Sequence, residues 1–178
     1  AQLSQTENLI TSMLGFVRGG SLLCLEPAKV KTVIEEAVSS CDGILEASGA
    51  LLTTNRINPS LTILAAPTEL ASVIANMIQN AIQVCEDKPE IEVWAGAINQ
   101  HMMLIRVSDN GPGIPSDIID QVFDPFFTTR AAGTGLGLAV LASVVQRHGG
   151  TVHATNRESG GAQFTILLPV NSTLKAST

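Results

Sequence analysis

The chain is poor in aromatic residues and cysteine: it has no tyrosine, one tryptophan and three cysteines in 178 residues. The cysteines, Cys24, Cys41 and Cys85, are odd in number and form no C-x-x-C pair, and no histidine lies at ligand spacing from them. This pattern argues against a disulfide scaffold and a structural zinc site. We expect Cys41 and Cys85 to be buried thiols in helices, and the protein to be reduced and cytoplasmic.

Long apolar runs and positive charge are scarce as well. No uninterrupted apolar run approaches the roughly 18 residues needed to cross a membrane, so we expect no membrane contact. Asp and Glu number 16 against 10 Lys and Arg, a formal charge of −6, and this acidic balance argues against nucleic-acid binding. Apolar residues make up 45% of the chain, enough for the core of one main domain.

The two ends of the chain differ from its middle. The chain does not begin with Met and has no leader pattern, which indicates a piece of a longer protein. Apolar residues seven apart, at Leu3, Ile10 and Val17, predict an amphipathic helix over 1–18 that packs against a partner helix or against the chain's own core. We therefore expect three parts: a helix with its linker over 1–20, a domain over 21–170 and a frayed tail over 171–178.

Helices and strands alternate irregularly through the domain. Apolar spacing predicts helices over 27–41, 67–85 and 138–147. Alternation between turn residues predicts strands over 21–25, 51–57, 61–65, 91–97, 102–107, 151–155 and 162–168. This order predicts an α+β fold in which about three helices cover one face of a mixed, mostly antiparallel sheet.

Two polar segments interrupt these apolar elements. Asn76 and Asn80 are four residues apart on a predicted helix, so their side chains leave the same face; they line a site or are simply surface asparagines. Asp109 ends an apolar strand and is followed by Gly111, Gly113 and Ile114. A carboxylate at a strand end before glycines suits a pocket floor that a ligand approaches closely, or else a plain turn.

Two further segments lie on a long predicted loop. Residues 122–130 carry three of the five phenylalanines, which contact a partner or hold the loop against the domain. Gly133, Gly135 and Gly137 run directly into a predicted helix, where free backbone N–H groups favour a phosphate. The G-x-G-x-G spacing matches neither the dinucleotide fingerprint nor the lysine-containing phosphate loop.

In this order the four segments resemble the N, G1, F and G2 boxes of the GHKL ATP-binding fold. Within that superfamily, residues 21–169 resemble the catalytic domain of bacterial two-component sensor histidine kinases. Two further segments complete the resemblance: His148-Gly149-Gly150 and Gly160-Gly161-Ala162-Gln163-Phe164-Thr165. The details at 80–83, 127–130 and 133–140 look most like the nitrogen-regulation (NtrB-like) subgroup, which includes flagellar sensor kinases.

The resemblance implies a two-layer sandwich with a mobile lid that binds ATP and Mg²⁺. Asp109 would accept a hydrogen bond from the adenine amino group, Asn80 would bind Mg²⁺, and Asn76, Asn80 and Arg130 would serve catalysis. The implied nucleotide-binding residues are Asn76, Asn80, Asp109, Gly111, Gly113, Ile114, Phe123, Thr128, Thr129, Arg130, Gly133, Thr134, Gly135, Leu136, Gly137 and Leu138.

Two departures from the wider family refine this expectation. Gln83 stands where many sensor kinases have a basic residue, and Asn76 stands where hydrolytic relatives have a glutamate base. Without that base the γ-phosphoryl group would go to another nucleophile. His101, His148 and His153 lack the phosphoacceptor setting, so we interpret all three as structural.

The resemblance also implies partners. The phosphoryl group would pass to a histidine on a dimerisation hairpin absent from this chain, and then to an aspartate of an NtrC-type response regulator, with the whole kinase a homodimer. Two alternatives stay open: a nucleotide-sensing interaction module without chemistry, and a GHKL-type ATPase.

Overall fold

The computed structural model describes residues 24–55, 57–85, 87–130 and 133–170. The strands are β1 (Glu26–Lys29), β2 (Leu51–Asn55), β3 (Thr62–Ala65), β4 (Glu90–Ala97), β5 (Met102–Asp109), β6 (Thr151–Asn156) and β7 (Ala162–Pro169). The α-helices are α1 (Val30–Ser39), α2 (Asp42–Ser48), α3 (Pro67–Val84) and α4 (Gly137–Arg147), with a 3₁₀ turn at Ile119–Gln121. The helix predicted over 1–18 and the tail lie outside the described residues.

The main sheet has five strands in the order β2-β4-β5-β7-β6. The β2–β4 pair is parallel and the other three pairs are antiparallel, as the predicted mixed, mostly antiparallel sheet requires. Strands β1 and β3 form a separate antiparallel pair. Strand β5 is central, so its final residue, Asp109, lies between β4 and β7 rather than at an edge of the sheet.

The core lies between one face of this sheet and the helices. Ile105 and Ile166 point into the core from neighbouring strands, and Ile74 and Ile78 of α3 meet that core; all four are fully buried. Helix α3 begins with a proline in its first turn and packs against both α1 and α4. The polar side chains of α3 must therefore leave by the narrow face that the core does not cover.

Two local predictions are wrong. Pro27, predicted to open a helix, lies in β1 opposite Leu64, and the helix begins only at Val30. Proline is acceptable there because β1 pairs on one side only, with β3, so an N–H group on its other side would have no strand partner. Residues 24 and 25, placed in the predicted strand over 21–25, precede β1. Helix α2 was not predicted, because none of its residues is buried and no apolar period marks it.

The remaining elements follow the prediction to within a few residues. Helix α3 and the β4–β5 hairpin coincide with the predicted 67–85 helix and antiparallel pair. Cys41 is buried as predicted, but it precedes α2 rather than lying inside a helix, and Cys85 is half-buried just after α3. Among the described helices, none is long and apolar enough to cross a membrane.

Candidate functional site

A cavity of about 1450 Å³ opens between α3, the end of β5 and the loop that leads into α4. It brings together residues from all four polar and glycine-rich segments. The first of these residues, Asn76, and Gly137 of the last segment are 61 positions apart in the sequence. The predicted site residues that line it are Asn76, Asn80, Asp109, Gly113, Ile114, Thr128, Thr129, Arg130, Gly133, Thr134, Gly135, Gly137 and Leu138.

Three predicted site residues, Gly111, Phe123 and Leu136, do not line the cavity. Phe123 packs edge-on against Phe164, with ring centroids 6.2 Å apart. Leu136 is buried at the start of α4, and the Gly111 N–H group donates to the Asp109 carboxylate. Their contact with a nucleotide stays a prediction.

Asp109 is the most deeply placed charged group of the cavity, with 2% of its surface exposed. Its Oδ1 atom accepts hydrogen bonds from the backbone N–H groups of Gly111 (2.9 Å) and Ala162 (3.0 Å). Among the described residues no group donates to Oδ2, so that oxygen remains available as an acceptor. A buried carboxylate held in this way selects a ligand that offers an N–H group.

The backbone of Asp109 is held as firmly as its side chain. Arg157 donates from Nη1 to the Asp109 carbonyl oxygen at 3.0 Å. Gly161, with φ +89°, lies so close that a Cβ atom there would sit 1.9 Å from that same oxygen. Sequence reasoning gave neither residue a role in the site, because both lie about fifty positions further along the chain.

The loop after Asp109 is attached to β6 by one asparagine. Asn156 accepts the Ile114 N–H group on Oδ1 and donates from Nδ2 to the Ile114 carbonyl, both at 2.7 Å. Gly113, with φ +78°, would meet the same Asn156 side chain if it carried a Cβ atom. Asn156 is a site-shaping residue that the sequence analysis missed; an asparagine at the end of a strand carries no signal of its own.

The opposite wall of the cavity is a row of amides on α3. Asn76, Asn80 and Gln83 are spaced by four and three residues, so they share one face of the helix, and all three line the cavity. Gly137, the first residue of α4, approaches Asn76 so closely that a Cβ atom would lie 2.7 Å from its Nδ2. The start of α4 and its free N–H groups are thereby held against these amides.

Arg130 brings a positive charge to the amide row. Its guanidinium donates from Nη1 to Gln83 Oε1, linking the loop to α3. Its backbone is held by a local turn, in which Thr128 Oγ1 accepts the Arg130 N–H group at 3.1 Å and the Arg130 carbonyl accepts from Gly133 at 3.0 Å. In the described part of the wall, Arg147 is the other cation, and it pairs with Glu69.

Cys85 and His148 lie near the site but have structural partners. The Cys85 thiol donates to Asn110 Oδ1 at 3.3 Å; burial raises its pKa, and the charge of Asp109 raises it further, so it stays a neutral thiol. His148 is buried: Nε2 accepts the Ala66 N–H group at 2.9 Å, and Nδ1 lies 2.8 Å from the Val144 carbonyl. Both ring nitrogens are therefore engaged, as a structural histidine requires.

The chemistry of this wall fits a magnesium–nucleotide. One end offers a carboxylate oxygen that only accepts, which suits an amino group on a purine. The other end offers neutral amide oxygens, one arginine and the N-terminus of an 11-residue helix, which suit phosphates and a hard cation. The fold and the cavity define a nucleotide-binding α+β domain.

Comparison with known proteins names the family. The chain belongs to the histidine kinase-, DNA gyrase B- and HSP90-like ATPase family, whose model matches residues 65–172, more than half of the chain. This confirms the GHKL fold and the ATP-binding domain expected from the four boxes.

Two curated relatives are kinases. The chain is 38% identical over 155 residues to the sensor histidine kinase ZraS of Escherichia coli O157:H7, covering 86% of this chain and 33% of ZraS. It is 29% identical over 170 residues to sporulation kinase E of Bacillus subtilis, covering 96% and 23%. The chain thus spans a third or less of the curated relatives it matches.

Solved structures agree with this assignment. The catalytic domain of the histidine kinase ThkA superposes with a TM-score of 0.75 at 27% identity, covering 82% of this chain and 95% of that one. Full-length ShkA, solved in complex with AMPPNP, gives 0.79 at 26%, covering 91% and 35%. The prediction that this is the catalytic domain of a sensor histidine kinase is confirmed.

Proposed function

We propose that this domain binds ATP with Mg²⁺ and presents the γ-phosphoryl group to a histidine on a dimerisation hairpin outside the described residues. The observation that carries the proposal is that Asp109, the amide row of α3 and Arg130 line one cavity. Asp109 supplies selectivity for the base, and the opposite end supplies neutral and positive groups for the phosphates.

At the base end, Asp109 acts through its free oxygen. Because Oδ1 is committed to two backbone N–H groups, Oδ2 is the acceptor left for the adenine amino group. Guanine presents a carbonyl oxygen at that position, which would face the carboxylate with no proton between them. This arrangement supports a preference for ATP over GTP.

At the phosphate end, Asn80 is the residue we assign to Mg²⁺, with Asn76 beside it. Bound there, the ion would supply neutralisation of phosphate charge, and Arg130 would add to it. Thr128, Thr129, Gly133, Thr134, Gly135, Gly137 and Leu138 would complete the phosphate wall. The protein's contribution is positioning and charge, which are the main terms in phosphoryl transfer.

The cavity favours transfer over hydrolysis. The next carboxylate along the face of Asn76 is Glu69, seven residues or about 10 Å away along the helix, and it is paired with Arg147. Glu36 of α1 also lines the cavity, and Asp109 is held by backbone N–H groups. Because an amide stands at position 76 and both Glu69 and Asp109 are already engaged, a nucleophile supplied by another segment fits the site better.

We place the domain in a homodimeric, cytoplasmic kinase of the NtrB-like subgroup that passes its phosphoryl group to an NtrC-type response regulator. The domain would span 21–170, with 1–20 as the end of the hairpin and 171–178 as a tail. The curated relatives include sensor histidine kinases, which supports a kinase, and both nitrogens of His148 are occupied, which supports a phosphoacceptor on another segment.

The first test is calorimetric titration of the chain with MgATP and MgGTP. We expect one ATP site, and GTP binding at least about 100-fold weaker, because a buried carboxylate that loses its N–H partner and faces a carbonyl oxygen costs on the order of 3 kcal/mol. Asp109→Asn should lower ATP affinity by a similar factor, whereas Asp120→Asn, on the exposed 3₁₀ turn, should leave it unchanged. No saturable ATP binding by the unaltered chain would contradict the proposal.

A second test separates the candidate functions. Mixed with a separately supplied phosphoacceptor hairpin and ATP, the chain should place acid-labile phosphate on the hairpin and none on itself. ATP binding without transfer would favour a nucleotide-sensing module, for which Phe126, 68% exposed with φ +68°, is the available contact. Steady release of phosphate by the chain alone would favour an ATPase.

A further inference from the structure

We propose that Gln83 is a positioning residue that holds Arg130 over the phosphate end of the cavity and so sets the preference for a triphosphate over a diphosphate. This inference rests on the proposed function and deepens it. The observation that supports it is one hydrogen bond, which Arg130 Nη1 on the loop donates to Gln83 Oε1 on α3. The two residues are 47 positions apart in the sequence.

The location of Gln83 relates it to the residues assigned to the phosphates. It follows Asn80 by three residues on the same face of α3, and both side chains line the cavity together with Arg130. The loop turn at Thr128 fixes the backbone of Arg130, but not its long side chain. Of the contacts in the described residues, the hydrogen bond to Gln83 is the one that directs the guanidinium toward α3.

The chemistry of an amide suits this task. Gln83 accepts one of the five N–H groups of the guanidinium, and four remain for a ligand. Because the amide is neutral, the arginine keeps its full charge, whereas a carboxylate at the same place would cancel it. Arg147, the other cation of the described wall, is already neutralised by Glu69. Arg130 is therefore the cation left to respond to an additional phosphate.

The test compares MgATP with MgADP in calorimetric titrations of the chain. Gln83→Met keeps the length of the side chain and removes its acceptor; Arg130→Gln removes the charge. We expect each change to reduce the ratio of MgATP to MgADP affinity about tenfold. The double variant should lose no more than Arg130→Gln alone, because Gln83 acts only through Arg130.

Two further variants exclude a merely structural role. Gln83→Glu keeps the size and the acceptor but adds a negative charge, so its affinity ratio should fall at least as far as that of Gln83→Met; an unchanged ratio would overturn the inference. Gln146→Met, an exposed glutamine of α4 outside the cavity wall, should behave like the unaltered chain.

The outcomes separate this inference from the proposed function. An unaltered chain that binds no ATP refutes both. ATP binding that depends on Asp109 but not on Gln83, or a double variant that loses clearly more than Arg130→Gln alone, refutes only the positioning role. Thermal unfolding of each variant should stay unchanged, since both side chains are exposed.

Discussion

The two ends of the cavity are built in different ways. At the base end, Asp109 is 2% exposed and is held by groups from the following loop, from β7 and from Arg157. At the phosphate end, Thr128, Thr129 and Arg130 are exposed, and the described hydrogen bonds of that loop are mostly internal to it. The base end is therefore part of the buried core, whereas the phosphate end lies on the surface of the domain.

This difference separates stability from binding. A substitution at the base end disturbs buried, hydrogen-bonded backbone, so it should lower both the free energy of unfolding and the affinity for nucleotide. A substitution at the phosphate end disturbs few buried contacts, so it should lower affinity alone. It also follows that the phosphate loop can open at small free-energy cost while the base site stays formed.

Amide hydrogen exchange should show the largest contrast. Without nucleotide, the amides of β5 should exchange on the order of 1000-fold more slowly than those of 123–130, because central strands open only with the whole domain. MgATP should protect the loop and leave β5 unchanged. Equal protection of the loop with and without MgATP would show that it is not a mobile lid.

Gly161→Ala tests how rigid the base end is. Its Cβ atom would lie 1.9 Å from the Asp109 carbonyl oxygen, and we expect a loss of about 3 kcal/mol or more in urea unfolding. Gly160→Ala is the matched control: φ is +92°, but nothing lies within 4 Å of its Cβ position, so only backbone strain of about 1–2 kcal/mol applies. Equal losses of unfolding free energy in the two variants would show that the backbone at Asp109 can shift to accommodate the added Cβ atom.

Asn156→Ala separates the site from the fold. Losing two hydrogen bonds to Ile114 should lower stability by about 1–2 kcal/mol and ATP affinity about tenfold, because the loop after Asp109 is freed. Asn99→Ala also removes two backbone hydrogen bonds, at His101 and Met102 in the distant β4–β5 hairpin. It should lower stability similarly while calorimetry finds ATP affinity unchanged.

Thr128→Val should give the smallest effect. It removes the acceptor of the Arg130 N–H group at the exposed phosphate end, and we expect about fivefold weaker MgATP binding with unfolding unchanged within about 0.5 kcal/mol. Thr151→Val, on the exposed start of β6, serves as control. A loss of stability as large as that of Asn156→Ala would remove the distinction between the two ends.

Local sequence patterns predicted the elements whose signals are local. The alternation in β4 and β5 and the apolar stripe of α3 predicted both the hairpin and the helix, and the spacing of Asn76 and Asn80 predicted a shared polar face. Predictions were wrong where a distant partner overrides the local signal. Pro27 would be an acceptable first residue of a helix, but it lies in β1 because that strand pairs with β3, opposite Leu64.

The candidate site divides in the same way. Asp109, Asn80 and the glycines before α4 could be named from the sequence because carboxylates at strand ends, paired amides and glycine-rich helix starts carry recognisable chemistry. Asn156 and Arg157 could not, because their contacts with the site are with residues more than forty positions away. The sequence by itself determined which groups could meet a nucleotide. Only the tertiary structure decided which of them are held in place, since that depends on hydrogen bonds between side chains and the backbone of distant segments, which no local pattern encodes.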